Sequence, residues 1–154
     1  MKFCKYQGAG NDFVIADNMD LSIAASDIPA LAADVCDRRF GVGADGFILA
    51  EPSGEADVKM DFYNADGSEA SMCGNGIRCF AKFVTDHFIV RKTEFSVETG
   101  DGVKHIQVLE KTPSVTRVRV DMGTFSDKRT VKSCGFETVS MHLGVPHAVI
   151  FSDA

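Results

Sequence analysis

The residues best placed for chemistry are Cys73 and the Gly74-Asn75-Gly76 that follows it, where a turn runs into a helix. Glycines at a helix start leave the first backbone N–H groups uncovered, and those donors form an anion site. The same positive end favours thiolate over thiol, so the expected Cys73 pKa lies below the free value of about 8.5. A poised thiol beside a site sized for a carboxylate is one reading, and a structural cysteine beside a glycine turn is the other. Upstream, Asn64, Asp66 and Gly67 have the turn chemistry that would deliver the chain from a strand to Cys73. Near the start, Gly8-Ala9-Gly10-Asn11-Asp12 joins two short strands and would present Lys5, Gln7 and Asn11 at a loop. That loop is either functional or a solvated hairpin tip.

Other chemistries fit less well. The histidines at 87, 105, 142 and 147 show no ligand spacing and there is no C-x-x-C pair, which argues against zinc. A Cys–His hydrolase would need His147 or His87 as base, and neither has a neighbouring orienting motif. Gly41-Val42-Gly43-Ala44-Asp45-Gly46 satisfies G-x-G-x-x-G, but a helix precedes it and a strand follows, the reverse of a dinucleotide fingerprint. It reads as a plain turn or a loop lining a pocket. Cys36 and Cys79 fall on apolar helical faces and read as small core residues. Cys4 and Cys134 lie in strand or loop contexts without an evident role.

The elements that must position Cys73 follow from periodicity. Ile77, Phe80, Ala81, Val84 and Phe88 recur at helical spacing, with Cys79 and Phe83 on the flank, predicting a central, buried helix. Val58, Met60 and Phe62 alternate within 57–63 and predict the strand that leads to Asn64. A second helix is expected over 21–40, capped by Ser26 or Asp27, with Pro29 in its first turn and Leu31, Ala32, Val35 and Cys36 as its stripe. Phe47–Ala50, Glu94–Glu98, Val103–Leu109 and Val115–Val120 read as strands, with Gly100-Asp101-Gly102 as a hairpin turn. Residues 126–134 read as polar loop, and Thr138–Met141 and Ala148–Phe151 as further strands. Many strands with two helices predict an α+β fold.

The totals set bounds. The 154 residues, 45% hydrophobic and 25% charged, suit about one domain of a globular protein. A net charge of −6 argues against nucleic-acid or anionic-membrane partners. No apolar run approaches a membrane span, and MKFCKYQGAGNDF lacks the apolar core of a signal peptide. Five widely spaced cysteines without a secretory signal suit reduced thiols, and a cytoplasmic location is the expectation.

The run Asn64–Phe80, with Asn-Ala-Asp-Gly-Ser-Glu before Cys-Gly-Asn-Gly, resembles the active-site segment of diaminopimelate epimerase. The resemblance is collinear over the chain: Gly8–Phe13, Arg38–Gly46, Ser96–Thr99 and Gly144–Val149 fall in the family's order. It implies a cofactor-independent amino-acid epimerase with a small-molecule amino-acid substrate, interconverting LL- and meso-diaminopimelate for lysine and peptidoglycan synthesis. It implies a strongly curved, mostly antiparallel sheet wrapped around a central helix. By resemblance Cys73 is the catalytic cysteine, and Asn11, Asn64, Gly74 and Asn75 contact substrate. Residues 1–119 correspond to the first domain and 120–154 to the opening of a second, truncated one.

The family's second catalytic cysteine lies in a glycine-flanked motif absent here, since Cys134-Gly135 is followed by Phe136-Glu137. The expectation is an amino-terminal part, inactive alone, whose partner base sits in a missing carboxy-terminal half. Val145 stands where many relatives place a substrate-binding asparagine, and Ala44-Asp45-Gly46 replaces a polar contact seen in others. A related racemase acting on another amino acid such as histidine, a non-catalytic amino-acid-binding module and a thiol redox switch are the alternatives. The carboxy-terminal segment is open to pairing with another chain, a homodimer included.

Overall fold

The computed structural model describes residues 1–113, 116–133, 135–143 and 145–151. The chain divides into two compact units, Met1–Asp121 and Met122–Ala154. The first contains β1 (Phe3–Gly8), β2 (Asn11–Asp17), α1 (Ile28–Cys36), β3 (Gly46–Glu51), β4 (Val58–Asn64), α2 (Gly74–Asp86), β5 (Glu94–Thr99), β6 (Gly102–Lys111) and β7 (Thr116–Val120). The strands form one sheet in sequence order, β1 to β7. Neighbours pair antiparallel except β2 with β3 and β4 with β5.

This sheet curls around α2, which packs against β1 at one edge, β7 at the other, and β2 and β3 between them. The curl explains why β3 is buried along its whole length, as a continuous apolar run predicts for a strand covered on both faces. Alternation sorts its side chains: Phe47 and Leu49 join Val14, Ala16, Ile28, Ala32 and Cys36 on the α1 side. Ile48 and Phe13 reach the opposite layer, where both lie against Gly76 of α2. Helix α2 itself buries Ile77, Cys79, Phe80, Ala81, Phe83 and Val84, so its apolar girth seats it inside the curl. Phe88, expected on that face, lies beyond the helix with φ of 58° and is exposed.

Further sequence expectations are corrected. The helix predicted over 21–40 is confined to Ile28–Cys36. Asp37 ends it by accepting the N–H groups of Arg39 and Phe40, both at 2.7 Å, which turns the chain out of the helix. Asp27 occupies the N-cap position, but its carboxylate receives Ser26 Oγ instead of a helix N–H. Residues 126–134, read as loop, contain β8 (Ser126–Ser133), which pairs antiparallel with β9 (Phe136–Leu143). Its described side chains are exposed, so no apolar alternation marks it, and the ladder rests on backbone pairing.

In the second unit, β10 (Val145–Ile150) completes a three-stranded antiparallel sheet, in the order β10-β9-β8. The expectations for Cys134, Gly144, Val115 and 152–154 lie outside the described residues, as does the side chain of Val145. No helix among the described residues is long and apolar enough to cross a membrane.

Candidate active site

Cys73 is the N-cap of α2, with extended backbone (φ −144°, ψ 120°). Its Sγ accepts the Gly76 N–H at 3.4 Å, and its carbonyl accepts the Ile77 N–H at 2.9 Å, closing the first turn. The thiol therefore takes one of the helix-start donors itself, while the N–H groups of Gly74 and Asn75 precede any intrahelical acceptor and point out of the helix end. Gly76 packs closely here: a Cβ would come 3.3 Å from Cys73 Cβ and 3.4 Å from Ile48 Cδ1, so a side chain would make its neighbours give by a few tenths of an ångström. The thiol is half-buried, unlike the buried Cys36 and Cys79. Burial pushes both of those thiols up to about 11.

The sheet brings the asparagines to the same end. Asn11 opens β2, and Asn64 closes β4 opposite Gly46, which in turn pairs with Phe13 of β2. Asn75 Nδ2 donates to Asn11 Oδ1 at 2.6 Å, tying the first turn of α2 to the β1–β2 hairpin. That hairpin turns through Ala9 and Gly10, both with positive φ (53° and 93°), the geometry of a two-residue type I′ turn. Arg78 donates to Asn75 Oδ1 and fixes the carboxamide orientation. Asn64 makes no such tie: its Nδ2 donates to Ser68 Oγ at 3.0 Å within its own turn. The turn is held by Gly67 (φ 83°), where a Cβ would sit 2.4 Å from the Pro29 carbonyl oxygen.

Behind Asn11 lies a charged layer that sequence reasoning misses. Asn11 Nδ2 donates to Asp45 Oδ2 at 3.0 Å. Arg38 grips Asp12 through two bonds of 3.1 and 2.7 Å and reaches Asp45 at 2.8 Å. Lys5 adds an ion pair to Asp12 at 3.0 Å. Bonding to Arg38, with Lys5 in support, holds the Asp12 carboxyl well below the usual range despite partial burial. The Asn11 carboxamide, then the Asp12 backbone N–H, lower Asp45 in the same way. The only sequence signal is the presence of opposite charges inside two glycine-bounded motifs.

The G-x-G-x-x-G loop proves structural. Val42 and Gly43 donate their N–H groups to the Val35 carbonyl at 2.9 and 3.0 Å, Ala44 to Cys36 at 3.2 Å and Asp45 to Asp12 at 2.9 Å. These donors point into the chain, so the loop cradles no phosphate. No cluster of three or more metal-ligating side chains occurs among the described residues.

Comparison with known proteins places the chain in a family. The family model for diaminopimelate epimerase matches residues 3–127. A diaminopimelate epimerase of Agathobacter rectalis is 43% identical over 178 residues, covering 99% of this chain and 61% of that protein. One from Alkaliphilus metalliredigens is 42% identical over 170 residues, covering 99% and 60%. The chain thus spans about three fifths of the length of the curated relatives it matches. Among solved structures, a Bacillus anthracis phenazine biosynthesis protein of the PhzF family superposes with a TM-score of 0.71 at 17% identity, over 97% of this chain and 56% of that one. A hydroxyproline epimerase from Agrobacterium vitis gives 0.67 at 13% identity, over 96% and 50%. These two likenesses establish a shared curved α+β fold. With most of its length matched by the family model and its relatives about two fifths identical, the chain belongs to the diaminopimelate epimerase family.

Proposed function

We propose that this chain is the amino-terminal part of a cofactor-independent epimerase that interconverts LL- and meso-diaminopimelate, with Cys73 as one of two acid/base groups. On this reading residues 1–119 form the first domain and 120–154 open the second. The observation that carries it is Cys73 as the half-buried N-cap of α2, beside the outward-pointing N–H groups of Gly74 and Asn75. Inversion at a carbon removes the α-proton from one face and returns one to the other. Without an electron sink, the carbanion-like transition state depends on preorganised electrostatics. The helix-end N–H groups hold the substrate carboxylate, and Cys73 Sγ exchanges the α-proton. Asn11 and Asn64 grip polar substrate groups; each carboxamide keeps hydrogen-bonding capacity beyond the bonds already made.

The second base comes from residues outside this chain. Cys36 and Cys79 are buried. Cys4 contacts His87, the C-cap of α2, and the 13-residue helix sets it about 20 Å from Cys73. No described cysteine can face Cys73 across a substrate. The exposed Phe125, Phe136, Ile150 and Phe151 of the second unit also suit a domain that is only begun.

The test follows loss of the substrate Cα–H signal by proton NMR in D₂O, with LL-diaminopimelate, histidine and a small amino-acid panel. The chain is compared with the same chain fused to the remaining carboxy-terminal part of the Agathobacter rectalis relative. Exchange of diaminopimelate by the fusion alone, abolished by Cys73→Ser, is the expected result. Exchange by residues 1–154 alone would overturn the missing-base reading. Ligand binding by the fusion without exchange would point to a binding module instead.

A further inference from the structure

We infer that Cys4 and His87 form a second reactive-thiol site, at the opposite end of α2 from Cys73, which takes small disulfides by thiol–disulfide exchange. Cys4 Sγ lies 3.2 Å from His87 Nε2, although 83 residues separate them in sequence. The contact is created by the fold. Cys4 and Tyr6 share the face of β1 that packs on α2, and His87 is the C-cap residue of that helix. A nucleophile and a base within hydrogen-bond reach, with the base held by further groups, is the arrangement that activates a thiol.

His87 is held on two sides. Its backbone N–H donates to the Phe83 carbonyl at 3.0 Å. Its ring stacks against Phe83 at 4.5 Å with a 38° tilt, and Phe83 is braced edge-on by Tyr6 at 6.2 Å. The carboxylate next to His87 in sequence is engaged elsewhere. Asp86 accepts Tyr6 OH at 3.2 Å and pairs with Lys82 at 2.9 Å and Lys111 at 3.0 Å. His87 is exposed and Cys4 half-buried on an edge strand, which leaves a small reagent a path to the sulfur.

The step balances without a further reagent. His87 Nε2 takes the Cys4 thiol proton as Sγ attacks one sulfur of the disulfide. The original S–S bond breaks, a Cys4 mixed disulfide forms, and the departing thiolate receives the proton from His87. Cys4 is oxidised, and half of the small disulfide is released as reduced thiol.

Oxidised glutathione is a suitable probe, with sites read by peptide mass spectrometry at pH 7. Cys4 is expected to form its mixed disulfide faster in the folded chain than in urea, although half-burial alone would slow it. His87→Gln should slow the folded reaction about tenfold, short of the roughly hundredfold or more of an evolved general base. Continued protection of Cys36 and Cys79 shows that the variant is folded. Slower modification in the folded chain than in urea, or an unchanged rate in folded His87→Gln, would overturn the inference. If that variant unfolds, the folded-against-urea comparison in the unsubstituted chain decides alone.

Discussion

Asn75 Nδ2 and Asn11 Oδ1 meet at 2.6 Å, and this bond across 64 residues joins the start of α2 to the β1–β2 hairpin. Neither side chain is independent of the other. If the proposed epimerase reading holds, Asn11→Ala and Asn75→Ala in the complete enzyme should each lower kcat/KM for diaminopimelate. The double variant should lose less than the two single losses combined, with a coupling of about 0.5–3 kcal/mol, as expected for residues in one network. A double-variant cycle on kcat/KM makes the measurement, and strict additivity would mean that the bond does not organise the site.

The thiols should separate by burial. Cys36 and Cys79 are buried and pushed up to about 11, so almost none of either is thiolate at pH 8. Iodoacetamide at that pH is expected to label half-buried Cys73 in the folded chain and to spare Cys36 and Cys79 until denaturant is added. Peptide mapping reads the order directly; early labelling of Cys79 would contradict the packing of α2 against the sheet.

The Asp12–Arg38–Asp45 network gives a pH dependence of definite sign. Both carboxyls are lowered on folding, so their contribution to stability is present above the unfolded value of about 4. It is lost as the pH falls from there through the folded values. Asp12→Asn should therefore destabilise the chain at pH 7, and the gap to the parent should narrow by pH 3. Urea unfolding at the two pH values measures it. A constant gap would show that Asp12 acts through shape alone.

Much of this site is legible in the sequence because its signals are local. Ile77, Phe80, Ala81 and Val84 mark α2, Gly74-Asn75-Gly76 marks its start, and Gly100-Asp101-Gly102 marks the β5–β6 turn. The Arg38 network is hidden because its partners lie 26 and 7 residues away, brought together only by the end of α1 and the β2–β3 register. The end of α1 escapes notice for a similar reason. Asp37 stops the helix with a side-chain bond, while the apolar pattern around it continues. Strand β8 leaves no pattern at all, since its described side chains face solvent.

The turn before Cys73 should tolerate no side chain at Gly67. Its φ of 83° is left-handed, and a Cβ would lie 2.4 Å from the Pro29 carbonyl oxygen. Gly67→Ala is expected to destabilise by about 1–3 kcal/mol, the range for enforced backbone strain. Thermal unfolding checks it, with Gly54→Ala as control, because a Cβ there meets nothing within 4 Å.

Cys73 has a structural role as a cap and a proposed chemical one, and two substitutions separate them. Serine accepts a helix-start N–H better than a thiol does, so Cys73→Ser should keep or slightly raise stability. Alanine has no acceptor, so Cys73→Ala should cost about 0.5–2 kcal/mol. If Cys73 is also the proton-transfer group, both variants lose Cα–H exchange in the complete enzyme, whatever their stability. A hydroxyl cannot replace a thiol whose proton must move near neutral pH. Exchange that tracked stability, surviving in the serine variant and falling only with alanine, would reduce Cys73 to a cap.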